Sequence, residues 1–205
     1  EKSVANIPRY MKAQYNLEGT KKFSGKVNFA EPHYNLASIY LDLGRLDEAE
    51  AEYKIALMLK PDYYSAELGM GSVKNMKGQY DLAIGHFLNS IALMRKATGQ
   101  SDYALARLNL GEVYGKTQRF DQAIVELTRA VKEEPSMIAA HFNLGTAHML
   151  MGSHDKAAIS FKICLRLNQN YEPALFNLAR VYPKKKMWRN SNILFEKFLK
   201  LQGPT

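Results

Sequence analysis

The residues of this 205-residue chain whose types could do chemistry are five histidines, one cysteine and a glycine-rich run. His141 and His148 are seven apart and share a face if their segment is helical, and His154 follows. No cysteine or carboxylate joins them at ligand spacing, so no metal is expected. The run GMGSVKNMKG, residues 69–78, lacks both the GxxxxGKS/T and the GxGxxG spacing that cradles phosphate. Cys164 lies on an apolar helix face and reads as core. No pair of carboxylates stands apart from ordinary surface charge. The chain is therefore expected not to be an enzyme and to use no cofactor. What does recur is an amide. Asn35, Asn109, Asn143 and Asn177 fall at one place of a repeating pattern, where the remaining copy has Gly69. An amide side chain both donates and accepts, so it can match the N–H and C=O of an extended peptide.

The elements that position these amides follow from a period of 34. Five copies align, at 30–63, 64–97 (extended to 103), 104–137, 138–171 and a degenerate 172–205. The eighth place is small: Ala37, Gly71, Gly111, Gly145, Ala179. The twentieth is small again: Ala49, Ala83, Ala123, Ala157, Ser191. The twenty-fourth is large: Tyr53, Phe87, Leu127, Phe161, Phe195. Small residues let two helices cross closely, and the large ones fill the space beside the crossing. Gly44, Gly78 and Gly152 mark a turn at the fifteenth place, where Gln118 and Lys186 stand in the other copies. Three residues on, Asp47, Asp81, Asp121 and Asp155 are expected to cap the second helix. Each unit is thus predicted to be helix, short turn, helix.

This pattern, with Tyr40, Tyr114 and Tyr182 at the eleventh place, resembles the tetratricopeptide repeat. The resemblance implies an all-α fold, a right-handed α-solenoid of tetratricopeptide helical hairpins. It also implies that the first helix of each hairpin lines a concave groove. The sixth place would then turn Asn35, Asn109, Asn143 and Asn177 inward, similar to the asparagine ladder in the tetratricopeptide segment of O-linked N-acetylglucosamine transferase. The fifth place would add Tyr34, Leu108, Phe142 and Phe176, and the ninth Glu112 and Arg180. The clamp by which some family members hold a chaperone's C-terminal EEVD needs Lys, Asn and Arg at set places. Those places here are Tyr34, Ser38, Gly69, Leu105 and Asn109, which lack the charge.

The ends depart from the pattern. Residues 1–29 are expected to form a helical segment, either a partial repeat or a cap. The fifth copy has Pro183 inside its first helix, where a kink is expected. Lys184, Lys185, Lys186 and Trp188 follow, then an apolar arc with Phe195 and Phe198. These six form a candidate terminal contact surface. Net charge is +8, with +4 on residues 1–29, −1 on 30–171 and +5 on 172–205. That is not the continuous basic stripe of a nucleic-acid binder. Basic termini suit peripheral contact with anionic lipid or an acidic partner. The chain begins at Glu1 without an initiating Met, which reads as the trimmed end of a longer protein. Nothing in it indicates a compartment.

Function is therefore expected to be non-enzymatic. The chain would be a protein–protein interaction scaffold that binds an extended peptide or helix of a partner in its groove during complex assembly. The alternatives are a homo-oligomerising structural module that packs through its terminal repeats, and a regulatory repeat region of a larger enzyme.

Overall fold

A computed structural model describes residues 29–98 and 103–202. The expected N-terminal segment, apart from Phe29, and the link at 99–102 lie outside the described residues. The described residues hold ten helices in five hairpins: α1 (Ala30–Asp42) with α2 (Leu46–Leu59), α3 (Tyr64–Met76) with α4 (Tyr80–Thr98), and α5 (Ala104–Lys116) with α6 (Phe120–Glu133). Then come α7 (Ile138–Leu150) with α8 (His154–Leu167), and α9 (Glu172–Val181) with α10 (Trp188–Gln202). No strand occurs among them. The helix α4 runs 19 residues against 14 for α2, α6 and α8, so the extra sequence of the second copy does lengthen its second helix.

One turn closes all five hairpins. Gly44, Gly78, Gln118, Gly152 and Lys186 each adopt the left-handed conformation, with φ from 59° to 73°. Each helix end makes the same pair of backbone bonds. Gly44 N–H donates to the Leu41 carbonyl at 2.9 Å and Arg45 N–H to that of Tyr40 at 2.8 Å, and the four other turns repeat this spacing. The pair satisfies carbonyls that the helix end would otherwise leave bare. The aspartates do less than expected. Asp47 and Asp81 sit second in their helices, where they meet the dipole, but they reach forward to the next hairpin. Asp47 pairs with Lys77 at 2.6 Å and Asp81 with Arg119 at 2.9 Å. Both carboxylates are largely exposed, so these links contribute little.

In three hairpins the crossing is as close as its glycine permits. A Cβ placed on Gly71 would lie 2.5 Å from the Phe87 ring, on Gly111 2.5 Å from Leu127, and on Gly145 2.7 Å from Phe161. Beside each crossing, the fourth and twenty-third places face each other. Here His33 Nδ1 meets Glu52 at 2.6 Å, and Glu67 meets His86 Nδ1 at 2.6 Å with the two residue types exchanged. Arg107 meets Glu126 at 2.6 Å and also Glu133 at 2.8 Å. The fourth copy has His141 and Ser160 there, and the fifth two leucines, Leu175 and Leu194. Polar partners are thus matched in the first three copies, whereas His141 Nε2 bonds the Pro135 carbonyl instead. Cys164 is fully buried, its thiol 3.6 Å from the Ile138 carbonyl, and burial pushes its pKa up to about 11. A neutral thiol there is a packing group.

Hairpins stack by setting each second helix against the first helix of the next unit. First helices also touch the following first helix at every step, and second helices show no comparable approach. The first helices therefore lie on the inner side of the curve.

The degenerate fifth hairpin closes through a compensation. Pro183 has no N–H to give the Ala179 carbonyl, and the chain tightens into a 3₁₀ turn at Tyr182–Lys185. The hydroxyl of Ser191, which replaces the usual alanine, donates to that same carbonyl at 2.8 Å from the facing helix. The bond is buried. Ser191→Ala should cost about 1–3 kcal/mol, the penalty for a buried carbonyl left without a donor. In a Pro183→Ala background residue 183 regains its N–H and the same change should cost markedly less. Urea unfolding of the four proteins measures this; equal costs in both backgrounds would refute the link.

Candidate functional site

The inner face is built from the first helices, one turn of α-helix at a time. In an α-helix places six, nine, twelve and thirteen share a face. The structure brings several of them together across neighbouring helices. Glu112, Gly115 and Lys116 of α5 and Asn143, Thr146 and Leu150 of α7 line one open cleft of about 270 Å³. Its floor is Phe120, Ala123 and Leu127 of α6, with Gly111 and Ala147 at its sides.

Asn35, Asn109, Asn143 and Asn177 are all half-buried on this face. None of their amides makes a hydrogen bond among the described residues. Successive first helices lie roughly 10 Å apart, which sets the rise from one amide to the next. The gap at Gly69 has a steric cause. The Tyr53 ring, which ends the crossing of the first hairpin, reaches across to α3, and a Cβ on Gly69 would lie 2.2 Å from its Cζ. The Tyr53 hydroxyl stands 3.0 Å from Ser38 Oγ.

The fifth-place side chains are set back from the surface. Tyr34 packs against Tyr53 and Tyr63, with centroids 5.9 and 5.1 Å away. Phe142 packs against Phe161 and Tyr171 at 5.8 and 5.7 Å. Leu108 packs against the central core cluster. These residues thus present only an edge to the groove. Phe176 is more open, at 39% exposed, and the Arg180 guanidinium lies 5.6 Å over its ring. At the ninth place, Ser38, Ser72 and Thr146 donate to carbonyls one turn back, those of Tyr34, Leu68 and Phe142. Glu112 is paired with Lys116 at 2.7 Å, and both touch Asn75. Arg180 has no carboxylate partner among the described residues.

The terminal surface is rearranged relative to expectation. Phe195 and Phe198 turn onto Phe176, with centroids at 6.0 and 5.5 Å, and are half-buried. The open apolar area comes instead from Trp188 and Leu199, each 63% exposed, and Ile193 at 55%. Leu199 stands where Leu57, Ile91, Val131 and Leu165 are packed into the core of the preceding units. Lys184 and Lys186 are exposed in the turn just before α10. The Lys185 side chain lies outside the described residues.

Among the described residues no three His, Cys, Asp or Glu side chains gather as metal ligands. No described helix is long and apolar enough to cross a membrane. What sequence reasoning missed is the cleft, whose makers are small residues without polar chemistry: Gly115, Ala147 and the relatively short Leu127.

Three models of the tetratricopeptide repeat match residues 30–63, 62–132 and 108–172. The chain is 26% identical over 203 residues to human protein O-mannosyl-transferase TMTC3, covering 79% of this chain and 22% of that protein. It spans about a fifth to a third of the first curated relatives it matches. Among solved structures, MamA from Desulfovibrio magneticus superposes with a TM-score of 0.76 at 19% identity, covering 87% of this chain and 97% of that one. YrrB, described as a tetratricopeptide protein with an unusual peptide-binding site, does so at 0.69 and 22% identity, covering 95% and 93%.

The explanation of the ladder's gap is testable. Gly69→Asn should cost about 1–3 kcal/mol through overpacking on Tyr53. Tyr53→Leu should offset part of it, because Leu127 already coexists with Asn143 in the same relation. Thermal unfolding of the two single variants and the double variant measures this; strictly additive losses would refute it.

Proposed function

Because the chain belongs to the tetratricopeptide repeat family, a fold that carries protein interactions, we propose that it is a non-enzymatic scaffold binding an extended peptide of a partner in its inner groove during complex assembly. One observation carries this reading: amides at the sixth place of four of the five units, interrupted at Gly69, each half-exposed on the inner face and none hydrogen-bonded among the described residues. A peptide in extended conformation advances about 3.3 Å per residue, so one repeat spans about three residues. Backbone groups recur along such a peptide, and an amide can donate to one and accept from another. YrrB, with the same fold, is described as having a peptide-binding site, which favours the same use here. The transferase activity in the name of TMTC3 belongs to a protein of which this chain spans 22%. That likeness favours, as a second reading, a repeat region serving a larger enzyme.

A random 12-residue peptide library displayed on phage should yield ligands for the full chain. Asn109→Ala with Asn143→Ala should weaken them about ten- to thirtyfold, two hydrogen bonds at about 1 kcal/mol each, without changing the helical circular-dichroism signal. Unchanged affinity would end the ladder.

Self-association through the terminal hairpin is favoured by a different observation, the open Trp188, Ile193 and Leu199 on α10. It requires a mass in light scattering that grows with concentration and is returned to monomer by Leu199→Asp. A monomer at every concentration would exclude it.

A further inference from the structure

The cleft between α5 and α7 exists because three places in the pattern carry smaller residues than the other copies do. The twenty-fourth place is Leu127, where the other copies have Tyr53, Phe87, Phe161 and Phe195. The twelfth is Gly115, where they have Leu41, Asn75, Met149 and Pro183. The tenth place of the next unit is Ala147, where they have Ile39, Val73, Val113 and Val181. These three positions span 33 residues of sequence and belong to three helices, yet all line one hole. The relation of Tyr53 to Gly69 shows where a ring at the twenty-fourth place points: toward the sixth place of the next first helix. In the third unit that direction leads to Asn143, and Leu127 stops short of it.

We propose that this cleft seats one large apolar side chain, of leucine to tryptophan size, from an extended peptide, and that the same peptide carries an acidic residue about three positions away. The inference rests on the groove reading given above and adds what the groove selects. An apolar cavity of about 150 Å³ holds a benzene-sized group, so about 270 Å³ admits a ring or a branched chain. The surrounding charges choose the flank. At the cleft itself, Glu112 and Lys116 neutralise each other. The exposed face of α7 carries no Asp, Glu, Lys or Arg. One repeat further, Arg180 lies over Phe176 without a carboxylate partner among the described residues, and Lys184 is exposed one helical turn on. One repeat is roughly 10 Å, about three residues of extended chain. Asn143 lines the cleft, and Asn177 lies one helical turn before Arg180, so each contact has an amide beside it to hold the backbone.

The test uses the full chain and the phage-displayed 12-residue library, followed by fluorescence anisotropy on synthetic copies of the selected peptides. The selected peptides should share one Leu, Phe, Trp or Met with an Asp or Glu two to four residues away. Leu127→Phe with Ala147→Val fills the cleft using residues that other units already carry, so its melting temperature should match or exceed the wild type. It should lower affinity about ten- to a hundredfold. Arg180→Glu should weaken the acidic peptides and, in a fresh selection, exchange the acidic residue for a basic one. Selected peptides that lose affinity in the Asn109→Ala, Asn143→Ala protein but not in the filled variant would overturn the cleft and leave the ladder standing. A library that yields no groove-dependent peptide would overturn both.

Discussion

The close crossing of two helices at a small residue is the constraint on which the rest depends. In the second, third and fourth hairpins the eighth place is Gly because a side chain from the twenty-fourth place lies directly over it. Three of the five glycine or alanine positions would put a Cβ within 2.7 Å of that side chain. This contact sets the distance between the helices, and the distance sets which other side chains can meet. The fourth and twenty-third places come within bonding range only because the crossing is tight. Those pairs then sort the hairpins: His33 with Glu52, the reversed Glu67 with His86, and Arg107 with Glu126. Burying one member without the other would strand a charge, so each pair constrains the sequence in two places at once.

The departures from the repeat are coupled for the same reason. Pro183 and Ser191 look like two separate defects in the fifth copy. They share one carbonyl, and the serine supplies the hydrogen bond that the proline cannot. Gly69 looks like a missing amide in an otherwise regular row. It is the space taken by the Tyr53 ring from the neighbouring hairpin. A solenoid has no distant core to absorb a change, so a change is answered within its own hairpin or by the unit beside it.

The inner face owes its character to what the crossing leaves over. Tyr34, Leu108 and Phe142 at the fifth place are drawn back toward the core, and hydroxyls at the ninth are taken up by the helix backbone. Among the described residues, the amides at the sixth place are left with free donors and acceptors. At the third hairpin the filling is shorter, and an apolar hole opens beside one of those amides. At the outer end the same logic runs in reverse. Leu199 occupies the place at which Leu57, Ile91, Val131 and Leu165 pack into the core, and on α10 it is exposed.

Much of this was legible in the chain alone. A period of 34 with small and large residues at fixed places dictates helix, turn and helix, because only that geometry brings the eighth, twentieth and twenty-fourth places together. The left-handed turn could be read from three glycines, and its extension to Gln118 and Lys186 from their register. The lengthened second unit and the disturbed last turn at Pro183 were legible too, since both are local effects of backbone chemistry. Tertiary structure alone decided which deviations belong together. Which ring fills the space over Gly69, which hydroxyl answers Pro183, and whether Leu127, Gly115 and Ala147 leave one hole or three small gaps are questions about distances between helices. Those distances come from packing, and a repeat pattern records the rule of the packing without recording where a particular side chain falls short.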